Sequence, residues 1–476
     1  MTVEDGAVAP GEPFIGDAWK APSLIFAALR EACVTMLAAI LTLACAQLLA
    51  PGAGSAVLAV VMCISLSRSQ LDRDMRGRIE AAIVLPLVGL ATIGVGVLLQ
   101  GMPWVGASVF VAGMFVSIWL RRFGPWARRA GSLIALPLVV LLTTPRIAAP
   151  VRVGIPAWLA PILIALLALL WVSVLHALAR AAHWLPARGD SVREVAGAKS
   201  EGTLRPIAST RMAIQMAVAL ALSFVVGYTF FPERWAWIVL TAFIVLSGNR
   251  GRLDVAYKSM LRVLGAAAGT LLAVSIGVHV GMHDATTVAL ILAAVFLGLW
   301  LRPLGYAWWA LFVTLALALL QGFDGVSASS LLWPRLEEIM IGAAIGVGAA
   351  WFVLPVRSSG VLRRRIADAL AALSDALDPA IAGRSSAAFV DAMASVQQMA
   401  PAFRASRMAT RRFRDVQPAD WIDTLLACRT PALALIERGE TPASVRRLIG
   451  AARKAMREPA QILPALLMLR DSLGAG

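Results

Sequence analysis

Histidine, cysteine and tyrosine are scarce in this chain: four, four and three residues among 476. Cys33, Cys45 and Cys63 lie in apolar stretches and Cys428 far downstream, without the paired spacing of a zinc or dithiol site. Metal-centred and redox chemistry therefore have no motif behind them, no cofactor is implied, and disulfides are not expected. The histidines, His176, His183, His279 and His283, form no ligand set, although His279 and His283 share a helical face beside Asp284. Charge is scarce too: 15% of residues against 59% hydrophobic, with a mean hydropathy of +0.78. A soluble domain cannot bury that much apolar surface, which excludes the soluble classes. A basic leader is also missing. Glu4, Asp5, Glu12 and Asp17 stand where one would lie, so no cleaved signal peptide is expected and the first apolar run reads as its own insertion signal.

What is present is a series of apolar runs, near 27–49, 54–66, 80–100, 104–120, 131–145, 157–179, 209–231, 235–247, 260–280, 285–301, 305–321 and 333–354. Read as spans 1 to 12, they form two blocks, 27–180 and 209–356, that match at an offset of 181 residues. Arg30 corresponds to Arg211, Pro51 to Pro232, and Trp119-Leu120-Arg121 to Trp300-Leu301-Arg302. Each block holds an even number of spans, so the two must share one orientation about a pseudo-two-fold axis along the membrane normal. The expected fold is all-α: a polytopic membrane protein of 12 transmembrane helices in two parallel six-helix repeats, with a C-terminal helical cytoplasmic domain. Residues 1–26 are a cytoplasmic N-terminal segment. Residues 181–208, with Pro186, Gly189, Gly197, Gly202 and Pro206, are a cytoplasmic linker. Residues 357–476 show helical periodicity, as at Val361, Ile366, Ala369, Leu370 and Leu373, and read as four or five amphipathic helices. Their breaks fall at Pro379 with Gly383, Pro418, Gly439 with Pro442, and Pro459.

A net charge of +15 is the remaining oddity, and topology absorbs it. With the N-terminus inside, 21 of the 43 basic residues lie before or between the spans on the inner side, 18 in the tail, and 4 outside. The positive-inside rule asks for such a split, so both termini are expected in the cytoplasm and no nucleic-acid partner is implied.

Spans 2 and 8 are short, Gly54 to Leu66 and Trp235 to Ser247, at matching places in the two blocks. Thirteen residues make only about 20 Å of helix against a hydrocarbon core of about 30 Å. Both are expected to be bent or incomplete, and such pairs mark binding sites in transporters. Each leads into a basic loop: Arg68, Arg73, Arg76 and Arg78 after span 2, and Arg250, Arg252, Lys258 and Arg262 after span 8. Lys258 and Arg262 are four apart and share one face at the start of span 9, where a helix N-terminus adds partial positive charge. Cations there invite an anion, either a substrate or Asp254, Asp72 or Asp74. Arg30 and Arg211 are the duplicated arginines at the inner ends of spans 1 and 7, placed to line a vestibule or to snorkel to headgroups. Glu337 and Glu338, a turn inside span 12, are candidate proton-coupling groups or interfacial partners of Arg335. Gly265 with Gly269, and Gly342 with Gly346, are faces for close helix packing. Trp104, Trp158, Trp235, Trp237 and Trp333 read as interfacial anchors.

At Trp237, Thr241, Gly251, Lys258, Arg262, Gly265, Gly269 and Thr270 the second block resembles the fusaric acid resistance, or aromatic acid exporter, family. The stretch from Arg335 to Pro355, with Gly342 and a terminal Leu-Pro, resembles that family's last span. The first block lacks the Trp, the Thr and the Gly-Thr pair, and follows by architecture alone. The resemblance implies a bacterial inner-membrane protein that exports organic anions, aromatic carboxylic acids above all. It also implies proton coupling, in some members a periplasmic adaptor, and no enzymatic role. A homo-oligomer is a further expectation. With the lipid membrane and a small organic anion as partners, the substrate-binding candidates are Arg262, Lys258, Arg211, Arg30 and Arg78 around a cationic cavity between the halves. The coupling candidates are Glu337 and Glu338. An anion channel is a second reading. A major facilitator carrier is a third, but Asp72-Arg73 and Gly77-Arg78 resemble its loop motif with the spacing wrong by two residues. A membrane enzyme on lipid-linked substrates would rest on Asp72 and Asp74, which four arginines surround.

Overall fold

The computed structural model describes residues 22–69, 75–123, 127, 130–131, 134–135, 138–139, 141–142, 156, 158–185, 208–277, 285–323, 328–378, 386–410, 416–440 and 442–474. Among these residues the regular structure is helical throughout. Among the described residues ten helices carry ten of the eleven apolar runs before the last: α1 (Pro22–Leu49), α2 (Ala53–Ser69), α3 (Met75–Gly101), α4 (Pro103–Trp119), α5 (Leu159–Ala181), α6 (Ala208–Phe230), α7 (Trp235–Leu246), α8 (Arg252–Gly277), α9 (Ala285–Leu301) and α10 (Tyr306–Phe323); the run 131–145 lies largely outside the described residues. The last run lies in α11 (Ala328–Phe352). Among the described residues six segments are long and apolar enough to cross a membrane: Ile25–Leu49, Ala82–Gly101, Leu159–Ala181, Ser209–Phe230, Arg252–Ile276 and Ala285–Leu304. The chain is an integral membrane protein. Arg68, Asp72, Arg73, Asp74, His279 and His283 lie outside the residues whose side chains are described.

Packing follows the same scheme in both blocks. In the first, α1 meets α2 and α5, and α2 and α3 meet α5; in the second, α6 meets α7 and α11, and α7 and α8 meet α11. Between the blocks α1 packs on α9, and α4 packs on α6. The constant offset does not extend to the last span, however. Helix α11 begins 169 residues after α5 and ends 171 after it, not 181, so the first block carries about ten extra residues ahead of its final helix.

The two short spans also differ. Helix α7 has 12 residues, about 18 Å, whereas α2 has 17 and continues through Ser69. After Leu246 the chain leaves the helix at Ser247 and turns through Gly248 (φ +61°). The Lys258 ammonium donates to the carbonyls of Ser247 (3.2 Å) and Gly248 (3.4 Å), holding this break in place. Span 2 lacks such a clamp among the described residues.

After α11 the composition turns amphipathic and, among the described residues, seven helices follow, more than the four or five read from periodicity: α12 (Ser358–Ala376), α13 (Ala387–Gln397), α14 (Ala400–Thr410), α15 (Pro418–Ala427), α16 (Arg429–Arg438), α17 (Ala443–Ala455) and α18 (Pro459–Gly474). The extra breaks come at Gln398-Met399 and at Cys428, each followed by a proline in the first turn of the next helix, Pro401 and Pro431. Leu362, Ile366, Leu370, Phe389, Ile422 and Leu466 are among the side chains that make one core. Burial pushes the Cys428 thiol up to about 12, which keeps it unreactive. The four cysteines are free.

This tail docks on the exposed start of α8. Leu253 packs against the tail core, and its amide donates to Ser358 Oγ (3.0 Å). The Arg250 guanidinium donates to Gln398 Oε1 (2.8 Å). Gly251 makes the close approach possible: its φ is +125°, and a Cβ there would stand 2.6 Å from Ser358 Oγ. Gly251→Val is therefore expected to loosen the tail, at a cost of roughly 1–3 kcal/mol from backbone strain alone. Limited proteolysis should then cut near residue 357 faster than in the parent; an unchanged rate would show that the joint does not depend on this glycine.

Candidate functional site

Helices α7, α8, α10 and α11 surround a cluster of buried polar and charged side chains that includes Thr241, Arg262, Thr314, Arg335 and Glu338. Arg262 lies ten residues into the 26-residue α8, close to its middle and about 15 Å from its N-terminus. It shares a face with Gly265 and Gly269, one and two turns on. That face is pressed against α10: a Cβ at Gly265 would be 2.8 Å from the Ala307 carbonyl oxygen, and one at Gly269 would overlap the carbonyl oxygen of Leu311. Close packing thus aims Arg262 into its own block, where Nη1 donates to Thr314 Oγ1 at 3.4 Å. Only 3% of Arg262 is exposed, and its Nε has no hydrogen-bond partner.

Helix α11 supplies the other side. The guanidinium of Arg335 lies over the Trp237 ring at 3.6 Å and donates to Gln321 Oε1 at 2.7 Å. Glu338, one turn on and 2% exposed, pairs with Arg335 at 3.8 Å and with Arg234 at the rim at 3.5 Å. Gly342 and Gly346 continue this face onto α7; a Cβ at Gly342 would be 2.6 Å from the Ile238 carbonyl oxygen. The Thr241 hydroxyl, fully buried at that contact, has no partner. Arg262 and Arg335 are near enough for their charges to repel. Among the described residues this part of the interior thus holds two buried guanidiniums, Arg262 and Arg335, and one buried carboxylate, which serves Arg335 and Arg234. Excess positive charge at this depth is costly unless an anion completes it.

The other sequence candidates are placed elsewhere. Lys258 is not at a helix N-terminus, because α8 begins at Arg252; it pairs with Asp254 (3.2 Å) and clamps the end of α7. Arg211 donates to the Pro355 carbonyl (2.6 Å), and Gln215 to that of Val353 (2.9 Å), so both cap the chain leaving α11. Arg30 is exposed on α1. Arg78 lies in the first turn of α3, and its side chain is outside the described set. Of the adjacent glutamates, Glu337 is exposed and Glu338 buried, as a 100° step around a helix dictates. One cavity between the halves, among the described residues, has a different lining from the cationic one expected. It is walled by α1, α2, α9 and α10, holds about 550 Å³, is almost wholly apolar, and contains none of these cations. The buried arginines sit inside the second block because the glycine faces of α8 and α11 turn them there.

Sequence reasoning missed Thr314 and Gln321, and gave Trp237 and Arg335 interfacial roles. The available signal was a pair of polar residues seven apart, two turns of one face, in an otherwise apolar α10.

Comparison with known proteins locates the resemblance in this block. Residues 216–349 match the family described as fusaric acid resistance protein-like, and this span contains Trp237, Arg262, Thr314, Gln321, Arg335 and Glu338. The family resemblance read in the sequence is borne out there. Over 169 residues, 35% of the chain, it is 24% identical to the uncharacterized protein YhfK of Escherichia coli (strain K12). The match spans 23% of that relative's length.

Proposed function

From a second block that matches the fusaric acid resistance protein-like family, in a chain of membrane-spanning helices, we propose a transporter that exports organic anions, with aromatic carboxylates as the substrate class. The observation that carries this reading is Arg262: mid-helix, buried, with an unfilled donor and a second guanidinium nearby. A substrate carboxylate would take the charge that Arg262 presents, with Thr314 and Thr241 hydroxyls beside it. Glu338 is the proposed coupling group. Its protonation would release Arg335 and Arg234 for the anion, linking proton occupancy to substrate occupancy. The matching helix contacts in the two blocks, and the reciprocal α1–α9 and α4–α6 contacts between them, support two parallel repeats about a pseudo-two-fold axis. The distribution of basic residues supports a bacterial inner-membrane location with the tail in the cytoplasm. The direction of transport, and a periplasmic adaptor, rest on the family resemblance.

The test is accumulation of a labelled aromatic acid in cells with matched protein levels. Arg262→Ala should reduce export at least about tenfold, the loss of one charge-assisted hydrogen bond of about 1.5–3 kcal/mol. Arg252→Ala, which removes a guanidinium stacked on Trp351 at the tail joint, should reduce it far less. Arg262→Lys should recover part of the activity by keeping the charge without the fork. Equal losses at positions 252 and 262 would remove the anion site.

A further inference from the structure

The two faces on which the halves meet are not alike. At the α4–α6 face, Phe110, Phe224, Tyr228 and Trp235 form a continuous aromatic cluster with centroids 5.3–5.6 Å apart, closed at one end by Trp104 at 5.2 Å from Tyr228. One apolar core runs through it from α3 and α4 into α6 and α7. At the α1–α9 face the core is interrupted: one cluster lies in α1, α2, α3 and α5, another in α8, α9 and α10, and the cavity of about 550 Å³ separates them.

The offset of 181 residues explains the difference. Phe224 corresponds to Leu43, Tyr228 to Gln47, Trp235 to Gly54, Phe110 to Ile291 and Trp104 to Ala285. At all five positions an aromatic ring on the filled face is replaced by a smaller side chain on the hollow one. Leu43, Gln47 and Ile291 line the hollow itself. Gln47 uses its amide locally, donating to the Gly52 carbonyl (3.0 Å) and accepting from the Gly52 amide (3.1 Å). Among the described residues no ionisable side chain lines the space.

We propose that this hollow is a binding site for a neutral aromatic molecule, whose rings take the volume that the chain's own rings fill on the opposite face. The volume lies within the roughly 300–1,000 Å³ of small-molecule sites, and an uncharged apolar wall excludes a carboxylate. The site is separate from the arginines of the second block and stands whether or not they bind an anion.

The test uses the full-length protein in lipid vesicles, photolabelled with a neutral phenyl diazirine and mapped by mass spectrometry. Labelling of the α1, α2, α9 and α10 lining should saturate and be displaced by naphthalene but not by hexadecane. Leu43→Phe with Ile291→Phe should cut it about tenfold, a loss of about 1.4 kcal/mol, while Arg262→Ala leaves it unchanged. If the double variant does not insert, Ile291→Phe alone should raise the half-saturating naphthalene concentration by at least about threefold. Labelling that never saturates, displacement by hexadecane as strong as by naphthalene, or an unchanged half-saturation in Ile291→Phe would each overturn the site.

Discussion

Glu338→Gln is expected to destabilise the protein by about 3–5 kcal/mol, whereas Glu337→Gln leaves stability within about 0.5 kcal/mol of the parent. Glu338 is 2% exposed and pairs with Arg335 and Arg234; without its charge, Arg335 loses its counter-charge while Arg262 still repels it. Glu337 points outward on the same turn. Thermal unfolding of the purified protein in detergent measures both variants. The double variant Glu338→Gln, Arg335→Gln should regain most of the loss, because it removes charge of both signs. Equal midpoints for the two single variants would mean that Glu338 is not the counter-charge of this cluster.

Gly269→Leu is expected to be as damaging, by shape and not by charge. A Cβ at Gly269 would already overlap the Leu311 carbonyl, and backbone cannot swing aside as the end of a side chain can. Helices α8 and α10 must separate, costing more than about 3 kcal/mol and carrying Arg262 away from Thr314. Gly348→Ala on α11 is the control: a Cβ there meets nothing within 4 Å, and its helix gains about 1 kcal/mol of propensity. A Gly269→Leu protein with the parent's thermal midpoint and elution volume would show that the α8–α10 contact yields more easily than its geometry implies.

These expectations also separate what was legible in the residues from what was not. Apolar runs of spanning length, the excess of basic residues in loops and tail, and the small-xxx-small faces at Gly265 and Gly342 are local properties. Arg262 was legible on the same grounds, as a member of the basic cluster at the start of span 9 that shares a face with Lys258. The aim of a side chain is not local. Adjacent Glu337 and Glu338 have one composition and opposite fates, and only the packing of α7 and α10 against α11 decides which is buried. Lys258, four residues from Arg262 and on its face, is taken up by Asp254 and by carbonyls that become available where α7 ends. Arg211 likewise meets the carbonyl of Pro355, 144 residues away.

The amino-acid sequence by itself determined that this chain lives in a membrane as apolar helices with a basic, amphipathic tail, because hydropathy and charge act through solvent on each segment separately. It also carried the correspondence between halves, including the five aromatic positions of one face and their smaller counterparts on the other. Tertiary structure alone decided that Arg262 and Arg335 gather inside the second block and that the cavity walled by α1, α2, α9 and α10 is apolar. Those outcomes depend on which glycine faces press together and how far helices can approach. They are steric facts about pairs of helices, which no single segment contains.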